Sequence, residues 1–180
     1  MSGMDEALAA KARSGDRPAL LRLLERHHDT AFRFSYRLLG SRTDAQDVAQ
    51  EVCIRLVERI ASFRGDSRFS TWLYQLVLNA CRDHVRRQGR VRDMQRGYAA
   101  FHAEDQANWA DSDRRLRWLY VALDQLKPDL KETALLILAE DVTQEDAATI
   151  LGISAGTVAW RMSEVKKRLR AMVDHDDERL

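Results

Sequence analysis

The chain has 180 residues, 45% hydrophobic and 32% charged, with two prolines and eight glycines. That is enough for one domain or two small ones, with little to interrupt long helices. Its net charge of +1 makes no global case for nucleic acid, so any such case rests on where the charge lies. No basic start followed by an apolar leader core and no apolar run of membrane-spanning length is present. These features lead to the expectation of a soluble, intracellular protein with no membrane contact of its own.

The first helix is expected to end at Ser14-Gly15. Asp16 then suits an N-cap with Pro18 in the first turn, where a missing N–H costs nothing. The helix it opens carries Leu20, Leu24, Ala31, Phe34 and Leu38 on one face and stops at Gly40. Thr43 with Gln46 has the spacing of a capping box for a third helix over 44–62, with Val48, Val52, Leu56 and Ile60 inward. The stretch 63–69 breaks the pattern. Ser70 or Thr71 can cap a fourth helix, facing in with Trp72, Leu73, Leu76, Val77 and Ala80, and Gly89 begins its end.

From 97 to 111 the apolar periodicity fades and acid takes over, the mark of a flexible linker. Helical pattern resumes over 111–126, breaks at Lys127-Pro128 and continues over 129–140. Thr143 with Asp146 is a second capping box, opening a helix over 144–151. Gly152 makes a turn, and Ser154 caps a last helix over 155–173. The expected fold is therefore all-α: two small helical domains, 1–96 and 112–180, joined by a linker over 97–111.

Charge is uneven along this plan. Residues 82–96 hold six arginines against two aspartates, while 103–113 hold four acids and no base. Cys53 and Cys81 lack CxxC or CxxH spacing and read as reduced core residues, with neither disulfide nor metal. His27-His28 has no third ligand nearby, Trp72 has core spacing, and no nucleophile–base grouping or Gly-rich phosphate loop appears. No enzyme, metal or cofactor is expected.

Near the C-terminus, TQEDAATILGISAGTVAWRM places a small residue at Ala148, a glycine at Gly152 and an apolar residue at Val158. The small residue lets two helices cross closely, the glycine permits the turn, and the valine locks the second helix into the core. This is helix-turn-helix spacing. Its second helix would present its N-terminal residues to base edges, with Lys166, Lys167, Arg168 and Arg170 suited to phosphates.

The N-terminal half carries the more specific pattern. Asp44, Asp47, Gln50 and Glu51 form an acidic box with a Q-E pair. Phe63, Gly65, Asp66 and Ser67 form an FRGDS loop, followed by Thr71, Trp72, Leu73, Tyr74, Asn79, Arg86 and Arg87. This set resembles region 2 of the extracytoplasmic-function (ECF) sigma factors of the sigma-70 family, and the helix-turn-helix with G-T-V at 156–158 is similar to their region 4. The resemblance runs from about Ala19 to Met172.

The resemblance implies a bacterial, cytoplasmic, nucleoid-associated protein that lends core RNA polymerase its promoter specificity. Asp44, Asp47, Gln50 and Glu51 would meet the β′ clamp helices, while the second domain would lie near the β flap. Arg64, Gly65, Asp66, Ser67, Arg68, Phe69 and Asn79 would hold a base flipped from the −10 element, with Arg82, Arg86 and Arg87 along its phosphates. Ser154, Thr157, Trp160, Arg161, Ser163, Lys166 and Lys167 would meet the −35 element. An anti-sigma factor is the further implied partner. The chain departs from the family pattern at Gln46, Ala159, Trp160 and Glu164. Two alternatives are a sigma mimic that binds only an anti-sigma factor, and a plain helix-turn-helix regulator.

Overall fold

The computed structural model describes residues 2–92 and 114–177, with side chains over 3–89 and 118–173. Contacts divide the chain into two compact units, Met1–Ala103 and Glu104–Leu180. Every described element is helical. The expected linker over 97–111, and the domain limits beside it, lie outside the described residues. No helix among those described is long and apolar enough to cross a membrane.

The first unit is built from α1 (Ser2–Arg13), α2 (Arg17–Leu39), α3 (Arg42–Arg59) and α4 (Phe69–Arg92), with a 3-10 turn at Ile60–Ser62. Asp16 caps α2 as expected, its Oδ1 accepting from the Ala19 N–H at 3.0 Å, and Gly40 closes the helix. The buried face of α2 is only in part the one expected: Ala31 and Phe34 are on it, and Leu20, Leu24 and Leu38 are not. Ala19, Leu23, Ala31, Phe34 and Ser35 are buried, while Leu20, Leu24 and Leu38 are half-buried. The reason is that α2 is packed by α1, α3 and α4, so its buried arc centres between several seams rather than on a single stripe.

The start of α3 also differs from the Thr43–Gln46 expectation. Ser41 is the cap, its Oγ accepting from the Asp44 N–H at 3.3 Å, and Thr43 is an exposed residue within the first turn. Gly40 ends the preceding helix, so Ser41 is the first side chain able to serve. Inward, Val48, Val52, Leu56 and Ile60 are all buried as the periodicity predicts. Helix α4 begins at Phe69, ahead of Ser70 and Thr71, and Thr71 is itself buried. The Phe69 N–H donates to Glu6 Oε1 of α1 at 3.2 Å, so the partner comes from far along the chain. Gly89 does not begin the end of α4, which runs on to Arg92. A helical glycine costs about 1 kcal/mol, too little to stop a helix whose body is fixed by burial.

Leu73, Leu76, Val77 and Ala80 of α4 are buried and Trp72 is half-buried. Trp72 lies against Phe63 and Phe69 with ring centroids 5.3 and 5.8 Å away, which makes it a packing residue. His27 of α2 completes this cluster, 5.1 Å from the Phe69 ring. Its Nε2 stands 3.3 Å from Asp5 Oδ2. Burial is nevertheless the strongest influence on His27. It holds the imidazole below its ordinary pKa of 6.5, against the pull of Asp5 and with a smaller push from Arg26.

The second unit contains α5 (Arg114–Asp124), α6 (Pro128–Ala134), α7 (Gln144–Leu151) and α8 (Ala155–Asp177). Pro128 opens α6, whose helical course continues through a wide π turn over Leu135–Ala139. Thr143 accepts from the Asp146 N–H at 3.1 Å, the expected cap of α7. Val158 is fully buried and Ala148 nearly so where α7 meets α8. Between these helices Gly152 sits at φ 69°, its N–H bonded to Ala148 O, the left-handed closure that glycine favours.

Gly152→Ala tests that turn. Nothing lies within 4 Å of an added Cβ, so the cost is the left-handed backbone alone, partly offset by a stiffer unfolded chain. A loss of about 1 kcal/mol in urea unfolding of the C-terminal unit is expected; an unchanged midpoint would refute the assignment. His27 gives a second test. Because its folded pKa is lowered, the unfolded chain binds the proton more readily, so its contribution to stability is full above about 6.5 and is lost as pH falls. Wild type should lose Tm between about pH 7 and pH 5 more steeply than His27→Gln, and parallel curves would contradict the burial argument.

Candidate functional site

The loop between α3 and α4 is apolar at its ends and polar in its middle. Phe63 and Phe69 are buried and meet edge to face, with centroids 5.7 Å apart. Arg64, Gly65, Asp66 and Arg68 are exposed and Ser67 is half-buried. Gly65, at φ 81°, turns the chain through a conformation that other residues rarely adopt. Anchored ends therefore lift a short run of donors and acceptors into solvent. Phe69, grouped with the DNA-facing residues on the sequence pattern, is instead an anchor beneath them.

Along α4, Asn79 is exposed, ten residues beyond Phe69, or about 15 Å of helix rise. The loop and Asn79 are thus two stations on one helix. Arg86 and Arg87 are exposed near the end of α4, while Arg82 is half-buried and engaged within the protein. Arg86 pairs with Asp83. The hydrogen bond from Arg86 is the leading reason that the Asp83 carboxyl lies below its ordinary pKa; burial opposes it, and Arg55 adds to the lowering.

Helix α3 supplies acids to this basic end. Asp44 Oδ1 lies 3.0 Å from His84 Nε2 and accepts from Gln88 Nε2 at 2.9 Å. Arg55, largely buried, bridges Glu51 at 2.9 Å and Asp83 at 3.0 Å, and Arg87 stands 4.0 Å from Glu51. Of the four residues that the family pattern directs at polymerase, Asp44 and Glu51 are therefore turned toward α4. Asp47 and Gln50 are exposed.

Ile54 and Val57 share the outward face of α3 with Asp47 and Gln50 and are 58% and 48% exposed. They stand outside the expected set, although their signal was present: both are apolar yet fall off the Val48–Val52–Leu56–Ile60 stripe. An apolar pair beside polar residues on one exposed helix face is suited to a protein partner.

On α8, Ser154 Oγ accepts from the Thr157 N–H at 3.1 Å and lies 2.9 Å from Thr157 Oγ1, so this pair caps the helix at its exposed start. Trp160 is 62% exposed, and Ser163, Lys166 and Lys167 are exposed along the same helix. Arg161 turns the other way. Its guanidinium donates to Asp129 O and Thr133 Oγ1 of α6 at 3.4 and 3.5 Å, with Asp129 Oδ2 at 3.6 Å. It holds α8 against α6. Glu164 accepts from Arg168 at 2.9 Å. Among the described residues, no grouping of histidine, cysteine and carboxylate could hold a metal.

Comparison with known proteins gives the family. The family model for sigma-70 region 2 matches residues 23–91, and that for sigma-70 region 4 matches residues 116–169. The ECF RNA polymerase sigma-E factor of Haemophilus influenzae is 30% identical over 176 residues, spanning 92% of this chain and 93% of its own length. The ECF RNA polymerase sigma factor SigE of Mycolicibacterium smegmatis is 32% identical over 157 residues, 85% of this chain; the match spans 61% of that relative's length. Among solved structures, CnrH in complex with the cytosolic domain of CnrY has a TM-score of 0.73 at 27% identity, covering 96% of this chain and 99% of that one. The sigma factor RpoE in complex with the anti-sigma factor NepR from Bartonella quintana has a TM-score of 0.71 at 25% identity, covering 85% and 95%. With both sigma-70 regions matched in order and a relative aligned over nearly its whole length, the chain belongs to the ECF group of RNA polymerase sigma factors.

Proposed function

We propose that this sigma factor binds core RNA polymerase through the outer face of α3, where Asp47, Gln50, Ile54 and Val57 are exposed together. The exposed middle of the loop, 64–68, holds an unstacked −10 base, and Asn79 reads the same strand farther along. Arg86 and Arg87 follow its phosphates. The start of α8 enters the −35 major groove, with Trp160 and Ser163 toward the bases and Lys166 and Lys167 toward phosphates. No catalytic step belongs to this role, which is carried out in the bacterial cytoplasm, on the nucleoid.

The observation that carries the reading is the loop itself. Phe63 and Phe69 are buried while the residues between them are exposed, so hydrogen-bonding groups are held out on a fixed base. Opened DNA offers free base edges to such a surface, whereas a duplex hides them. An anti-sigma factor fits the same reading, because the two solved relatives named above are complexes and one is described as bound to an anti-sigma factor. It would cover the apolar and polar groups displayed by α3.

Run-off transcription is the direct test, with core polymerase and DNA from upstream of the chain's own gene. A transcript that depends on the chain is expected; no transcript together with no binding to core would overturn the proposal. The phosphate role has its own measurement. Replacing both Arg86 and Arg87 by alanine should weaken the promoter complex and reduce the slope of log affinity against log salt by about 1. The change should fall below two full charges because Asp83 and Glu51 already engage these arginines. An unchanged slope would make the pair a solvated face only.

A further inference from the structure

Both ends of the 63–69 loop are tied to one helix. Arg13, the last residue of α1, donates from Nη1 to the Phe63 carbonyl at 3.2 Å. Glu6, on the same helix, accepts from the Phe69 N–H at 3.2 Å. Between Glu6 and Arg13 the helix rises about 10 Å, so α1 lies as a bar of set length across the mouth of the loop.

The bar is itself immobilised. Ala9 and Ala12 are buried, and Asp5 accepts from Arg26 of α2 at 2.9 Å. Helix α1 packs against α2, α4 and the turn at Ile60–Ser62. Glu6 also suits its place electrostatically. The first amides of a helix lack intrahelical partners, and a carboxylate there satisfies one of them while opposing the helix dipole. Local backbone bonds hold each end to its own element, Phe63 N–H to Ile60 O and Trp72 N–H to Arg68 O. The contacts from α1 tie the two ends to one common helix, so the exposed middle keeps one shape before any ligand arrives. Binding then loses less entropy.

The stretch matched as sigma-70 region 2 starts at residue 23, beyond α1, so these contacts are not part of what the match conveys. We propose that Glu6 and Arg13 are positioning residues for base capture: they fix the separation and direction of the loop ends, and residues 64–68 meet the unstacked base preformed. This deepens the assignment of the loop as the strand-holding element and rests on it.

The test uses holoenzyme assembled from the full chain and core polymerase. Its probe is the labelled DNA strand that the wild-type holoenzyme holds best out of a randomised single-stranded pool. Glu6→Ala and Arg13→Ala should each weaken capture of that strand about tenfold, the size expected for one hydrogen bond to a charged group, with affinity for core unchanged. Glu6→Gln, which keeps an acceptor oxygen, should retain most of the capture. A role confined to folding would not separate Gln from Ala in this way while sparing core binding. The triple variant Arg64→Ala, Asp66→Ala, Arg68→Ala tests the underlying reading. If it loses capture while Glu6→Ala and Arg13→Ala keep it, the role of α1 is refuted alone. Losses that track core affinity, or a Glu6→Gln as weak as Glu6→Ala, refute it as well. If the triple variant captures the strand normally, the loop is not the strand-holding element and the role of α1 falls with it.

Discussion

Burial of two phenylalanines at the ends of one short loop is the constraint on which the functional surface depends. Phe63 and Phe69 meet each other, Trp72 and, through Phe69, His27. Rings of this size dominate local packing energetics, each contact adding about 0.5–1.5 kcal/mol beyond the area it buries. Closing a loop this short costs little entropy once its ends are pinned. The polar residues between the anchors are exposed because they bridge two buried points, and Gly65 supplies the backbone turn that the bridge needs. The same cluster fixes where α4 begins, and so where Asn79 and the arginines beyond it fall.

Charge then decides which side chains remain available. The acids of α3 and the bases of α4 face each other across a helix seam, where Arg55 between Glu51 and Asp83 is largely buried and Asp44 meets His84 and Gln88. Such groups hold one another in place across the seam, Arg55 serving two carboxylates at once. Asp44 and Glu51 are turned toward α4, and the exposed face of α3, which the proposal gives to polymerase, is made by Asp47, Gln50, Ile54 and Val57. An acidic box can therefore serve two ends: half of it builds the domain, and half is offered outward.

Much of this was legible in the chain because it is local. Asp16, Gly40, Thr143, Gly152 and Ser154 act within a few residues of themselves, and the Val48–Ile60 stripe follows from helical period alone. What could not be read is non-local. The cap on α4 comes from Glu6 and the tie on Phe63 from Arg13, 63 and 50 residues away. On α2 the period places Ala31 and Phe34 correctly but not Ala19, Leu23 and Ser35, because three helices share its buried face, a fact of packing that no single periodicity carries. Ser41 and Thr43 both have the chemistry of a cap, and only the position of Gly40 decides for Ser41. In the site, the loop and the basic helix end were readable as pattern, while the division of Asp44, Asp47, Gln50 and Glu51 between inside and outside was not.

The second unit shows how internal pairing changes the meaning of a residue. By type, Arg161 suits base recognition and Glu164 repels phosphates, so the sequence alone places a reader beside an obstacle. The structure commits both to the protein: Arg161 to Asp129 and Thr133, and Glu164 to Arg168. Neither charge is then free to govern the groove. Lys166 and Lys167 are exposed, suited on the proposed reading to attraction without sequence preference, and Trp160 is the largest exposed side chain near the start of α8. Its indole offers an apolar ring and a single N–H donor, against the forked pair of donors that an arginine presents. On the reading proposed above, the start of α8 therefore has no free arginine for the bidentate pairing with guanine that Arg161 could otherwise make, and recognition there falls to Trp160 and Ser163.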